Sequence, residues 1–496
     1  MSITPRSEVG VKAPRKSPAL AGSVVPLFFS VCAAGVAATS TSARGAIPSA
    51  SVALAFLLLG LGIGVRSATK TETFRLRLMP VVLFWWSIAF GLASATWWWD
   101  QVGTPGQIQR DFVIRALALM ALGSIVMVAG YRWAGERAGS FVGRPIHSFV
   151  ADRSPITRSW ASPIVLYGLS LIGKIALLAT SGGIGYLAST SATAGPATQL
   201  FSVLAQCGPI ALLVAGQQVW HERRPKALFP LMVVLAAEMG FAFVSGVKQD
   251  LVVVGLALLL PWMTARKRVP VFFITAGIFF FVFILTPFNE NYRELVRGNG
   301  VQVSTGQALS IAPSVLTKTL AGIFDPGNRS AAQTSSVQRV REIDNVAIIL
   351  QRTPSQVPYR SASDLLTAPL TAVVPRALWS GKPVLDGAYR FSSEYYRLPP
   401  AVKTSSAVTI PGDLYRHGGL VAFVVGMAGL GIVLRMVDNV LRVSTAAPLA
   451  ILFLIVFPLV GKAEIEAVAL LASIPSALVL WLLAVTVTYP KERVSE

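Results

Sequence analysis

AVALLASIPSALVLWLLAVTVT, residues 467–488, decides the fold class of this chain. These 22 residues contain no charged side chain. A helix of this length rises far enough to cross the roughly 30 Å hydrocarbon core of a bilayer. In lipid, every backbone amide must find its hydrogen-bond partner inside the protein, and a helix provides one within the segment itself. The stretch therefore predicts a membrane-spanning helix.

Similar apolar stretches, a few of them short, recur along the whole chain. They lie at residues 24–40, 48–65, 80–97, 112–130, 162–180, 198–219, 228–245, 250–264, 270–287, 418–434 and 446–461. The chain is 53% hydrophobic and only 13% charged, whereas a soluble domain has roughly 25% charged residues. We therefore expect an all-α, polytopic membrane protein with about twelve transmembrane helices. A cleaved signal peptide is the alternative for the first stretch, but so many later spans favour a retained helix.

The basic residues indicate how the chain is oriented. Segments rich in Lys and Arg, such as 223–226 and 266–268, alternate with segments such as 181–198 that have no charge. The positive-inside rule then predicts a multi-pass protein of the bacterial cytoplasmic (inner) membrane with both termini in the cytoplasm. Residues 1–287 would hold helices one to nine, and 418–496 would hold helices ten to twelve with a cytoplasmic tail. Residues 288–417 would form one large, mostly helical extracytoplasmic loop.

The net charge of +20 does not predict a nucleic-acid-binding protein, because much of the excess lies in short segments between the spans. The two cysteines, Cys32 and Cys207, lie inside apolar stretches, which argues against a disulfide framework and a thiol metal site. No two histidines have the spacing of a zinc-binding helix. We expect no metal, no cofactor and no nucleic-acid partner.

The end of the predicted loop, residues 374–419, is basic and aromatic. Its cations are Arg376, Lys382, Arg390, Arg397, Lys403 and Arg416, and its large aromatic side chains include Trp379, Tyr389, Tyr395, Tyr396 and Tyr415. Guanidinium groups suit phosphate oxygens, and aromatic rings offer apolar faces to sugars. This composition fits a lipid-linked sugar diphosphate. By composition alone, contacts of the cations with lipid headgroups and an interfacial aromatic belt are the favoured explanation.

The order of residues in this loop resembles that of a known family. Pro375-Arg376, Trp379, Lys382-Pro383, Gly387 and Phe391 are followed by Gly412-Asp413-Leu414-Tyr415 and Gly418-Gly419. Upstream stands Ser245-Gly246-Val247-Lys248. These runs resemble segments of the bacterial O-antigen and exopolysaccharide repeat-unit polymerases (Wzy-type). Lys248 stands where the family often has arginine, and Asp413 where its acid is often glutamate.

The resemblance implies a GT-C-like, metal-independent membrane glycosyltransferase with a polyprenyl-diphosphate-sugar donor. Such an enzyme joins undecaprenyl-diphosphate-linked oligosaccharide repeat units outside the cytoplasmic membrane. Its partners would be the lipid-linked oligosaccharide and the bilayer, and the resemblance also allows chain-length regulator and flippase proteins. An O-antigen-ligase-like transferase and a flippase-type transporter of lipid-linked sugars are the alternatives.

Two sets of site residues follow from this interpretation. The transfer needs a base near the acceptor hydroxyl, and Asp413, Glu394 and His417 are the candidates, each with an ion pair as its structural alternative. The backbone around Asp413 is expected to turn after Pro411-Gly412. The residues expected to bind substrate are Arg293, Arg376, Lys382, Arg390, Arg416, Lys248, Tyr415 and Trp379, with Arg293, Arg376 and Arg390 on the diphosphate.

Two charged residues lie deep inside predicted spans. Lys174 and Glu238 are each six or seven residues from the same end of their spans, roughly 10 Å deep at 1.5 Å per residue. Ionisable groups at such depth are costly and are usually paired or functional. The matched depth and opposite charge predict a Lys174–Glu238 ion pair.

Overall fold

The computed structural model describes residues 18–67, 77–98, 108–154, 156–181, 198–268, 270–297, 305–322, 340–374, 379, 387–398, 408–441 and 447–491. In these ranges the chain is all-helical, and no strand longer than a single bridge, between Arg153 and Lys491, occurs. The all-α prediction is confirmed.

The helices of the first half are α1 (Pro18–Thr39), α2 (Ala43–Ser67), α3 (Leu78–Trp86), α4 (Arg110–Trp133), α5 (Gly135–Ala151), α6 (Ser162–Ser181), α7 (Thr198–Ala205), α8 (Cys207–Trp220), α9 (Leu228–Ser245) and α10 (Lys248–Arg266). Those of the second half are α11 (Val271–Phe280), α12 (Thr286–Arg297), α13 (Thr305–Gly322), α14 (Ile343–Arg352), α15 (Ser363–Val373), α16 (Gly387–Tyr396), α17 (Ile410–Arg416), α18 (Gly419–Leu441), α19 (Ala447–Val460) and α20 (Ala467–Thr488).

Nine helical segments of the described chain are long and apolar enough to cross a membrane. They begin at Gly45, Leu78, Arg110, Ser162, Thr198, Pro225, Lys248, Gly419 and Ala467. The other three predicted spans correspond to shorter helices. Residues Ser23–Thr39 of α1 and Pro448–Val460 of α19 are apolar but shorter, and α11 continues through a π-helical turn, Phe281–Leu285. The protein is therefore a membrane protein built of apolar helices.

In the described chain, three predicted spans contain irregular turns. After α3 the backbone passes through a π-helical turn, Ser87–Gly91, and a 3-10 segment, Leu92–Trp98. The span at 198–219 is divided at Gln206 between α7 and α8. In the span at 270–287, α11 passes into the π-helical turn Phe281–Leu285.

Helices α4 and α18 pack in close contact. A Cβ atom on Gly431 would lie 2.0 Å from the carbonyl oxygen of Met127, and one on Gly130 would lie 2.4 Å from that of Ala428. Side chains are absent at both points, so the two backbones touch directly. Small residues at helix crossings are the usual means of close packing in membranes, where lipid is as apolar as leucine.

One end of α18 is fixed to α3. The buried Asp438 carboxylate accepts hydrogen bonds from the Leu78 amide (2.6 Å), the Met79 amide (3.3 Å) and the Tyr131 hydroxyl (2.9 Å). An acid at a helix N-terminus satisfies amides that lack a partner within the helix. We call this the Asp438 end of the bundle. The opposite end, which holds Asp413, the Ser245–Lys248 turn and residues 461–466, is called the Asp413 end.

The substitution Gly431→Ala should destabilise the protein by about 1–3 kcal/mol, because the new methyl group meets a backbone carbonyl that cannot move aside. Gly429→Ala is the matched control, since a Cβ atom at Gly429 meets nothing within 4 Å. Thermal unfolding of the purified variants in detergent measures the difference. Equal melting temperatures for both variants would contradict the close contact of α4 and α18.

Candidate functional site

The short helix α17 positions the central residues of the Asp413 end. Thr409 caps it, since its Oγ1 accepts a hydrogen bond from the Gly412 amide at 3.2 Å, and Pro411 lies in its first turn. The expectation that Asp413 lies in a turn is wrong. The threonine cap and the proline start a helix at Ile410, so Asp413 lies within the helix. The helix ends at Arg416, and Gly419, with φ of 63°, redirects the chain into α18.

The Asp413 carboxylate is fully buried and occupied on both oxygens. Arg416 Nε donates to Oδ1 at 2.6 Å, and the Val468 amide donates to Oδ2 at 3.2 Å. The His417 ring lies 3.4 Å from Oδ1 through its Nδ1 atom. Asp413 therefore orients the arginine and the histidine beside it, one of the two roles expected for it.

The charges of this cluster stabilise one another. Burial alone would raise the pKa of Asp413, but the hydrogen bond with His417 and the positive charge of Arg416 lower it to about 2. Burial lowers the pKa of His417, but its contacts with Asp413 outweigh that effect and raise it overall. Since the folded chain holds the His417 proton more tightly, that proton contributes stability at low pH and the contribution is lost as pH rises through the raised value.

Arg416 has donor capacity that the described residues do not use. Its Nη2 atom lies 3.6 Å from Glu466 Oε1, too far for a hydrogen bond. Neither Nη atom of this buried side chain has a hydrogen-bond partner within the described ranges, and neither has Glu466 Oε1. Burial and the negative charge of Asp413 raise the pKa of Glu466. The Arg416 guanidinium, whose Nη donors make no hydrogen bond to the described residues, can bind an anion. The neighbouring Glu466 carboxylate, whose pKa is raised, can accept a proton.

Further arginines line this cluster. Arg360 donates its backbone amide to the Arg416 carbonyl at 2.8 Å and pairs through Nη2 with Glu394 at 3.0 Å. The expected base Glu394 is thus ion-paired, as its structural alternative required, and its side chain is partly exposed.

Arg352 and Arg397 interact electrostatically despite their like charge. Burial lowers the pKa of Arg352, and the positive charge of Arg397 lowers it further. Arg397 has a φ of 54°, a backbone conformation that favours glycine, and it donates to Gln356 at 2.9 Å.

A second charged cluster lies beside the first, and the sequence analysis missed it. Residues 461–466, Gly-Lys-Ala-Glu-Ile-Glu, link α19 to α20 and place charges at 462, 464 and 466. Burial raises the pKa of Glu342 well above its usual value, and the hydrogen-bonding Glu464 carboxyl raises it further. The raised pKa favours the protonated form of Glu342, which can then donate a hydrogen bond. The signal was available, because alternating charges in a six-residue link between two apolar stretches are unusual.

The Lys174–Glu238 prediction is confirmed. The Lys174 ammonium contacts Glu238 Oε1, both residues are buried, and Lys174 also lies 4.4 Å from the centre of the Phe241 ring. A Cβ atom on Gly208 would lie 2.2 Å from Glu238 Oε1, so the absence of a side chain there makes room for the carboxylate. Asp250, which accepts from Ser245 Oγ at 2.8 Å, interacts electrostatically with both Lys174 and Lys462.

The other expected binding residues are spread around these clusters. Lys248 donates to Thr286 Oγ1 at 3.0 Å, and the Tyr415 ring packs edge-on against Tyr359. Trp379 and Arg390 are exposed. Arg376 and Lys382, and the side chain of Arg293, lie outside the described parts of the chain. In the described parts, no group of three or more His, Cys, Asp or Glu residues could hold a metal ion.

Either single substitution, Lys174→Met or Glu238→Gln, should destabilise the protein by about 3–5 kcal/mol, because each leaves the opposite charge buried without its partner. The double variant should be more stable than at least one single variant, since it removes both charges. Thermal unfolding of the four proteins forms a double-mutant cycle that isolates the coupling. Strictly additive effects would exclude the pair.

Asp413→Asn should also destabilise the protein, by about 3–5 kcal/mol, because Arg416 then keeps a buried charge with a weaker partner. Asp364→Asn is the matched control: it is the same change at an exposed carboxylate 4.0 Å from His417. Thermal unfolding at pH 7 compares the two. If the Asp413→Asn and Asp364→Asn proteins have the same melting temperature, the Asp413 carboxylate does not hold the cluster together. Its direct role as a base would then regain support.

No curated protein matches the chain, and no solved structure matches it. One family model, described as Domain of unknown function (DUF8712), matches residues 170–440, which is more than half of the chain. That range includes Lys174, Glu238, Asp413 and Arg416 and ends before the link at 461–466. The chain belongs to the DUF8712 family.

Proposed function

We propose that the protein is a membrane glycosyltransferase that polymerises undecaprenyl-diphosphate-linked oligosaccharide repeat units. The observation that carries the proposal is the buried Asp413–Arg416–Glu466 cluster, in which two guanidinium nitrogens have no hydrogen-bond partner among the described residues. It lies at one end of an apolar bundle, where a headgroup attached to a membrane-embedded lipid would be presented. The resemblance to Wzy-type polymerases supports the same reaction.

The proposal places the Asp413 end outside the cytoplasm and gives the chain twelve spans with both termini inside. Its support is the distribution of cations: basic residues crowd the Asp438 end, among them Arg132, Arg153, Arg158, Arg223, Arg224, Lys226, Arg266, Lys267 and Arg435. The positive-inside rule assigns that end to the cytoplasm. Residues 288–417 then form the extracytoplasmic loop.

The leaving group of the proposed reaction is a polyprenyl diphosphate. The acceptor hydroxyl oxygen bonds to the anomeric carbon of the donor, and the bond from that carbon to the diphosphate oxygen breaks with its electrons going to the diphosphate. Arginines preorganised in a partly dry site stabilise such developing charge strongly. Arg416, whose Nη donors make no hydrogen bond to the described residues, is the described group best suited to this role. Among the originally expected arginines, Arg293, Arg376 and Arg390 stay predictions.

The acceptor hydroxyl must lose its proton to a base. Asp413 is a poor candidate, because a carboxyl with a pKa of about 2 takes up a proton weakly and both of its oxygens are occupied. Glu466 suits the role better. Its pKa is raised, and its Oε1 atom accepts no hydrogen bond from the described residues. We assign the base to Glu466, with Glu394 next, and give Asp413 the role of positioning Arg416.

A ligase-like transferase would use the same donor chemistry, so the cluster supports it nearly as well. A transporter is supported less. Transporters concentrate polar groups near the middle of the membrane. Here the charged clusters gather at one end, and in the described spans Lys174–Glu238 is the ion pair set most deeply.

Glu466→Gln should reduce polymer formation by about 10²-fold or more, the usual loss when a general base is removed. The assay uses the native host with its own copy of the gene deleted and the variant supplied in trans. Polymer is measured on carbohydrate-stained gels, and undecaprenyl-diphosphate-linked units are measured by mass spectrometry of membrane extracts. The expected result is loss of polymer with accumulation of single units. Asp152→Asn, at an exposed acid of the Asp438 end, is the control and should retain full activity.

The gene deletion itself distinguishes the alternatives. Accumulation of full-length polymer on the lipid carrier would indicate a ligase, and accumulation of single units facing the cytoplasm would indicate a transporter. An unchanged polymer and unchanged lipid-linked units would contradict the whole proposal. Normal polymer from the Glu466→Gln protein would contradict only the assignment of the base.

A further inference from the structure

Helix α15, Ser363–Val373, has two apolar faces. One is formed by Leu365, Ala368 and Ala372, which pack against Val468, Leu471 and Ala472 of α20. The other is formed by Leu366, Leu370 and Val373, spaced at i, i+4 and i+7. A helix on the surface of a soluble domain needs one apolar face only.

The second apolar face is left uncovered by the described residues. Leu366 is 78% exposed, Leu370 70% and Val373 62%. The third side of the helix is polar and carries Asp364, Thr367 and Thr371. The three faces therefore meet three different surroundings, and only the packing against α20 is explained by the fold.

The position of α15 indicates what meets the exposed face. Its partners on α20 lie within the first six residues of the candidate span Ala467–Thr488, about 8 Å of helix at 1.5 Å per residue. The Ala372 carbonyl accepts a hydrogen bond from Gln199 Nε2 at 3.3 Å, and Gln199 lies in the first turn of another candidate span, Thr198–Trp220. The helix thus lies across the ends of two spans, at the depth where hydrocarbon gives way to headgroups.

The lipid-facing surface of the bundle continues next to it. On α20 itself, Ile474, Leu478 and Val479 are 45–58% exposed. A surface at that depth beside a membrane-spanning helix is met by acyl chains. Interfacial helices bury one apolar face roughly 5–10 Å into this boundary and keep their polar face in water.

We propose that α15 is an interfacial helix whose Leu366–Leu370–Val373 face inserts into the acyl chains of the leaflet at the Asp413 end. This inference is independent of the proposed reaction, because it rests on the position of the helix alone. The helix also adjoins the site, because Asp364, in its first turn, lies 4.0 Å from His417.

Fluorescence quenching in vesicles tests the proposal with the full chain. Single cysteines replace Leu366, Leu370 or Thr367 in a Cys32→Ser, Cys207→Ala background and carry a polarity-sensitive fluorophore. Because all three side chains are exposed, their replacement removes no packing contact. The labelled proteins are reconstituted into phosphatidylcholine–phosphatidylglycerol vesicles, with Thr367→Cys as the matched control on the polar face.

At positions 366 and 370 we expect emission shifted to shorter wavelength, strong loss of emission with lipids spin-labelled near the headgroup, and little loss with iodide on both sides of the membrane. Thr367→Cys should show the reverse. Strong iodide quenching at both 366 and 370 would overturn the proposal, because it would place the face in water. Protection from both quenchers would overturn it too, because it would mean that protein covers the face, either a second copy or another segment of the chain.

Discussion

The direct backbone contact between α4 and α18 is the constraint on which the rest of the structure depends. Gly130 and Gly431 have no side chain, so the two helices cannot slide or rotate against each other without a clash. At one end α18 holds the first amides of α3 through Asp438, and at the other it continues from α17 after Gly419. A rigid rod of 23 residues therefore sets the distance between the two ends. The charged cluster on α17 is held in place by this rod and by the Val468 amide of α20.

Burial of charge is the second organising feature. Lys174, Asp413 and Arg341 are each nearly or fully inaccessible, and each contacts an opposite charge. An unpaired charge in such surroundings would be very costly, whereas a paired one is tolerated and tends to fix one arrangement of the helices. Arg416 also contacts opposite charges, but neither of its Nη atoms has a hydrogen-bond partner among the described residues. Those Nη donors are the ones that the proposed diphosphate contact would use.

The sequence predicts some of these features well, for identifiable reasons. The Lys174–Glu238 pair followed from matched depth and opposite charge. In a helix that crosses a membrane, the position of a residue in the sequence gives its depth. The helical turn around Asp413 was missed because Pro411-Gly412 suggests a bend, while Thr409 supplies the cap that makes a helix. Glu466 was missed because it is 50 positions from Arg416 and only the packing of α20 brings the two together. The alternating charges of the 461–466 link draw attention to Glu466, but no local pattern pairs it with Arg416.

The length of the six-residue link at 461–466 should be constrained, both in engineered variants and among related chains. It contributes Glu466 to one charged cluster and Lys462 and Glu464 to the other, with single residues between them. Because only single residues separate these charges, an inserted tag or a deleted residue would move the charges of one cluster relative to those of the other. Most loops between helices drift freely in length among related chains. This one should keep its length even where its neighbours diverge, and it is the wrong place for an epitope.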